Sequence, residues 1–280
     1  MSHELDVVVA RGRQESRPVE RKAMDAHIIT LGHILFAIGL MGLGVLSLGS
    51  GDFAYTWQPV PQWVIWRASL ARLSGLLLCA TGIALLIRRA VHYSAILVSL
   101  YLALVRFALH LPYVLFRLTD LGRWLGLGES LTLVCGGWIL VLAFSRHDSV
   151  TPVALWSNPR LPQFLYAGAC VVFGVSHFVY ADTTAGMVPA WLPFRVGVAY
   201  LTGAGHFAAG LAILFGIIPK LAATLEASMI TSFVLLVHIP GVLSYPHSRL
   251  QWTMLRVASA LAGAAWLVAG SLRRQITFAD

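Results

Sequence analysis

Three histidines stand in otherwise apolar stretches of the C-terminal half of this chain: His177, His206 and His238. Imidazole titrates near neutrality, so such residues can relay protons or ligate metal. Asp182 and Tyr200 are close enough in sequence to hydrogen-bond them. A helical metal site wants two ligands at close spacing, as in HxxxH or HExxH. Neither pattern occurs, so no metal is expected. Two readings remain. One is a proton relay beside a ligand at the hydrocarbon edge, walled by Trp191, Phe178 and Phe207. The other is architectural: neutral histidines donating to backbone or hydroxyl groups.

The N-terminal half carries a different set, Asp52, Arg67, Arg72, Arg106, His110 and Glu129. Arg106 and His110 are one helical turn apart and share a face. At 1.5 Å per residue, Arg106 sits roughly 10 Å inside its span, where it needs a carboxylate such as Glu129 or Asp52, or a wet cavity. The set reads either as an ion-pair network closing the outer end of a helix bundle or as a pocket for an anion or headgroup. Glu226 stands by itself about two turns into another apolar run; it either reaches toward Lys220 or stays unpaired with a proton-handling role. Two His-x-Pro motifs, His110/Pro112 and His238/Pro240, read as architecture: proline removes a helix donor, and the histidine can bond a freed carbonyl.

The elements that must position these groups are membrane spans. Of 280 residues, 58% are hydrophobic and 11% charged, and the mean hydropathy is +0.77. Soluble domains carry roughly 25% charged residues. Eight apolar segments fall near 27–48, 68–87, 93–113, 128–145, 163–181, 196–218, 221–243 and 252–271, each close to the ~20 residues a helix needs to cross a bilayer. The fold class is therefore all-α, a polytopic membrane protein with the lipid bilayer as its surroundings. Residues 1–25 are polar and read as a disordered tail without a signal-peptide layout. The net charge of +8 is topological rather than a nucleic-acid footprint. With alternating spans, twelve Lys and Arg fall on the side of both ends of the chain and five (Arg67, Arg117, Arg123, Arg195, Arg249) on the other. Both termini are thus expected in the cytoplasm. Cys79, Cys135 and Cys170 lie in separate runs with no CxxC spacing and read as small core residues.

The polar linker at 147–162 divides the spans four and four, as 26–146 and 163–274, and the halves repeat. At an offset of 128, Pro61 and Trp63 fall on Pro189 and Trp191, Gly75 and Gly82 on Gly203 and Gly210, His110 and Pro112 on His238 and Pro240, and Trp124 and Trp138 on Trp252 and Trp266. Before the loop an offset of 125 places Phe53 to Tyr55 on Phe178 to Tyr180, which makes the second loop three residues longer. An even number of spans per half implies two four-helix bundles related by a pseudo-two-fold along the membrane normal. Ala204, Ala208 and Ala212, with Ala258/Ala262 and Ala260/Ala264, are the small-residue stripes expected at helix contacts.

The segments Gly174 to Tyr180 (GVSHFVY), Met187 to Pro193 (MVPAWLP) and Ala199 to Leu214 resemble the DoxX family of four-span membrane proteins. The first half resembles a diverged copy, with Asp52 in place of His177 and Leu78 in place of His206. The resemblance implies an inner-membrane protein serving a quinone-linked redox system, with redox partner subunits, since some relatives resemble a membrane subunit of thiosulfate:quinone oxidoreductase. Two other functions stand beside it: a transporter for a small anion or amphiphile along a path lined by Arg72, Arg106 and Glu226, and a structural or assembly subunit. The absence of a P-loop, dinucleotide glycine fingerprint, nucleophile elbow or haem-attachment motif leaves a conventional soluble-type active site without support.

Overall fold

The structure is a computed structural model that describes residues 27–54, 57–144 and 158–272. The expected tail and most of the expected linker lie outside these. The described residues form helices and connecting turns, without strands. Eight helices are long and apolar enough to cross a bilayer: α1 (His27–Ser50), α2 (Arg67–Leu85), α3 (Val91–Leu115), α4 (Leu121–Phe144), α5 (Arg160–Val179), α7 (Arg195–Phe215), α8 (Pro219–Ser244) and α9 (Arg249–Ser271). A short helix, α6 (Ala181–Met187), follows α5; the sequence reading had left this stretch as loop.

The span boundaries agree with expectation to within a few residues except at α4, which starts seven residues early. Its first turn holds Arg123, a charge that marked the stretch as polar. Arg123 is neutralised by Asp120 at 3.0 Å, lies 3.8 Å from the Tyr113 ring centroid and donates to the Tyr113 carbonyl at 2.5 Å. A cation so partnered can begin a membrane helix.

Helices α4 and α9 form the centre. In their most apolar stretches 67% and 83% of residues are buried, against 22–44% in the other six. α9 packs on α4 and α8, α4 also packs on α3 and α5, and α5 packs on α7. α1 lies against α9 and α2 through glycines. A Cβ on Gly39 would sit 2.5 Å from the backbone nitrogen of Ala260, and one on Gly44 would sit 2.6 Å from the carbonyl of Gly75. In lipid no hydrophobic effect draws helices together, so backbones this close supply dispersion contacts instead. The outer surface is a continuous apolar skin, with Leu73, Leu104, Leu201, Phe215 and Leu243 all exposed, as a lipid-facing surface requires.

Two packing expectations need correction. Ala204 and Ala208 face outward, and the inward face of α7 carries Ala199, Gly203, His206, Gly210 and Ile213. The alanine stripe misled because small residues are equally compatible with lipid. The expected longer second loop is also not there: residues 51–66 separate α1 from α2, and 180–194 separate α5 from α7. Gly44 meets Gly75 and Cys79, while Gly174 meets Gly203 and Phe207. The helix contacts therefore set α1 on α5 at an offset of 130, not 125, and the match of Phe53 to Phe178 is apolar coincidence.

Both His-x-Pro motifs are preceded by a π-helical turn, Arg106–His110 and Val234–His238. The wide turn absorbs the missing proline donor. His110 Nε2 donates across to the Trp57 carbonyl at 3.3 Å, and His238 Nδ1 is buried with no partner.

Replacing Gly39 by Leu forces backbone apart at the α1–α9 crossing and should destabilise the protein by about 3 kcal/mol or more. Ala204→Leu, on the outward face, should change stability by less than about 0.5 kcal/mol. Denaturant unfolding in detergent measures both; equal effects would refute this assignment of faces.

Candidate functional site

The core of the site is a buried, hydrogen-bonded acid–base pair between two helices. His206, on the inward face of α7, donates through Nδ1 to Oε1 of Glu226 on α8 at 2.5 Å, and both side chains are almost fully buried, at 3% and 0% exposure. The second carboxylate oxygen, Oε2, has no partner. Glu226 therefore neither stands alone nor reaches to Lys220, as the sequence had suggested. Burying a carboxyl and an imidazole is costly unless they are paired, so a pair here is an expensive element.

His177 completes the cluster. Gly203 has no side chain to obstruct it: a Cβ there would lie 2.8 Å from the Cβ of His177. The His177 and His206 ring centroids are 4.8 Å apart. His177 Nδ1 donates to the carbonyl of Phe173 one turn back, at 2.9 Å. Phe233 lies parallel to His177, with centroids 6.3 Å apart, and meets His206 edge-on at 5.8 Å, as Phe173 does at 5.7 Å. With Nδ1 committed in both imidazoles, Nε2 is the nitrogen left to a ligand, and in the neutral rings it accepts.

Both rings face a cavity of about 450 Å³ enclosed by α5 to α9 and the start of α4. Its walls are mainly apolar, including Met187, Leu192 and Leu261, with a few convergent polar groups: Glu129, His177, Thr202, His206, Ser232 and His238. That size and lining suit a small organic ligand. Chemically, a hydroxyl in the cavity can give its proton to Nε2 of His206, and the resulting imidazolium is stabilised by Glu226.

The predicted site residues divide. His177, His206 and His238 share the cavity with Glu129, and Glu226 joins them through its bond to His206; both acids come from what reads in the sequence as a separate charge network. Asp182 is exposed, Tyr200 is half exposed and stacked on Phe178 at 6.1 Å, and neither bonds a histidine among the interactions of the described residues. Both lie on the outward face of the stretch that carries them. Of the expected aromatic walls, Trp191, Phe178 and Phe207 do not line the cavity; Phe173 and Phe233 do. Asp52 pairs with Arg67 at 2.7 Å and with Arg249 of the other half at 3.7 Å. Arg72 is exposed, His110 belongs to the loop contact above, and the Arg106 side chain is outside the described set. Among the described residues no three His, Cys, Asp or Glu converge as metal ligands.

A signal for Glu226 was present but unread. At the offset of 128 read from the sequence, His206 and Glu226 fall on Leu78 and Val98, both fully buried. No known family model, curated protein or solved structure matches the chain.

Removing one partner should be costly and removing both cheap. His206→Leu or Glu226→Val alone should lose about 3–5 kcal/mol of stability, whereas the double variant should return to within about 1 kcal/mol of the parent. An additive double variant in unfolding measurements would show that the two side chains do not depend on each other.

Proposed function

We propose that this is a DoxX-like membrane protein built from two four-helix units, and that its second unit holds a quinone headgroup whose protons pass through the His206–Glu226 pair. The observation that carries the reading is the placement of that pair: His206 lines a mainly apolar cavity, and the buried Glu226 carboxylate stands behind it on Nδ1. A quinone headgroup is a flat, largely apolar ring whose two oxygens exchange protons with reduction. It needs apolar walls, at least one proton acceptor and access from the lipid phase. Phe173 and Phe233 supply the walls and Nε2 of His206 the acceptor. The carboxylate behind it keeps the proton from remaining a bare charge in a low-dielectric site. Electrons come from a redox partner subunit, which makes the protein the quinone-holding member of an inner-membrane complex.

The two-unit architecture, with a pseudo-two-fold along the membrane normal, is supported by local features 128 residues apart. Trp66 and Phe194 both take left-handed backbone conformations just before α2 and α7, with φ of 57° and 53°. The indoles of Trp124 and Trp252 both donate to a carbonyl six residues earlier, each at 2.8 Å. The π turns of α3 and α8 have the same spacing. α1 meets α9 and α5 meets α4, so each unit begins on the final helix of the other. With both termini cytoplasmic, the cavity end of the second unit faces outward.

The anion path of a transporter fares less well. Arg72 is exposed, and neither it nor Glu226 lines the cavity, so the two mark no path through it.

Protein purified from its native membrane should retain a lipid-soluble quinone, detected by solvent extraction and mass analysis. The His206→Leu/Glu226→Val double variant, which keeps the fold, should retain the cavity but bind a short-chain benzoquinone at least about tenfold more weakly. Equal binding by parent and double variant would remove the pair from the function.

A further inference from the structure

The first unit contains a candidate answer to what the second unit binds. Between α1 and α2 the chain turns inward, and Trp57 and Gln58 are buried to 4% and 1% exposure. The Gln58 side chain and the Trp57 carbonyl are bonded. The Gln58 side-chain amide donates to Ser74 Oγ at 3.1 Å and Tyr101 Oη at 2.9 Å, and its Oε1 accepts from the backbone N–H of Ala54 at 3.0 Å. The Trp57 carbonyl accepts from His110 Nε2 at 3.3 Å. An aromatic ring, a carbonyl and a second polar group are thus inserted into the first bundle.

In the second unit the corresponding connection does not enter the bundle. It forms α6, which lies against α5 and α7, and the space beneath it is the open cavity. The residues 128 positions after His110 and Ser74 are His238 and Thr202, and both line that cavity. Nδ1 of His238 is buried without a partner, so Nε2 is the nitrogen left for an occupant. The filled unit has Leu78 and Val98, and the open unit has His206 and Glu226. Plug and proton pair exclude each other across the two units.

We infer that the second-unit cavity takes a planar ring bearing a carbonyl, with the carbonyl oxygen on Nε2 of His238 and a second polar group on the Thr202 hydroxyl, as Trp57 and Gln58 sit on His110 and Ser74. The first unit carries its own permanent occupant and binds nothing, so each chain has one site. His238 and Thr202 then set specificity by orienting the ring, while His206 and Glu226 handle its proton. The inference rests on the proposed two-unit repeat and on the second-unit site; the identity of the ring as a quinone is separable from it.

The test uses two probes on the full chain in detergent, a short-chain benzoquinone and indole-3-acetamide, which reproduces the ring and amide of the plug. Calorimetric titration should give one site per chain. His238→Phe and Thr202→Val should each weaken binding by about tenfold, the worth of one lost hydrogen bond to a buried acceptor. Unchanged thermal midpoints certify that the variants fold. Binding of both probes with this dependence upholds the inference. Binding of the indole amide alone, still dependent on His238, upholds it and ends the quinone reading. Quinone binding indifferent to both substitutions overturns the inference and leaves the quinone reading standing. Two sites per chain, or no binding of either probe, overturns it.

Discussion

The second half of the molecule is arranged around one hydrogen bond, 2.5 Å from His206 to Glu226. Neither group can be solvated there, so the helices that carry them must stay in register. α7 must present position 206 inward, and α8 must present 226 to meet it. Gly174, Gly203 and Gly210 bring α5 against α7 closely enough for His177 to reach the same pocket. The aromatic rings of Phe173 and Phe233 then seal the imidazoles from the lipid side. An apolar pair at these two positions packs without such demands, as Leu78 and Val98 do. A buried acid–base pair is tolerated only while both partners stay in place.

The spans were legible because their cause is local. A helix crossing lipid must be long and apolar, and both properties are written in a single run of residues. The histidines were legible for the converse reason, since ionisable groups within such runs stand out. Which groups meet was far less legible. Glu129 was assigned to the first half, yet it borders the second-unit cavity because α4 packs on α5 and α9. Asp182 and Tyr200 are near the histidines in sequence and point elsewhere. Direction around a helix in lipid is poorly encoded by composition, because the outward face is apolar as well. That is why the alanine stripe of α7 was read as interface while the glycine beside His177 was not singled out for its role.

The contrast between the halves also clarifies the loop between α6 and α7. Met187 and Leu192 sit at the cavity, whereas Trp191 is exposed at the rim. In the first half the same connection goes inward with Trp57 and Gln58. The loop's chemistry is thus decided by whether its polar groups are satisfied inside the bundle or left at the surface. Asp52 joins the two ends of the molecule: it pairs with Arg67 of its own half and Arg249 of the other, and Arg249 also bonds the Phe53 carbonyl.

The glycine crossing of α1 and α9 sets an order in time. Gly39 and its contact Ala260 are 221 residues apart in the chain. At the usual ribosomal pace of about 5–20 residues per second, α1 waits roughly 10–40 s for that partner to be made. During the wait it is held from one side only, where His33 bonds the Leu85 carbonyl at 2.7 Å and Gly44 meets α2. Its smooth glycine face must meanwhile rest against lipid, which a face without polar side chains can do. Among the described helices α9 is therefore the keystone: it closes onto α1, α4 and α8, all made before it, and a ribosome that stalls before Arg249 leaves the glycine face of α1 without its partner.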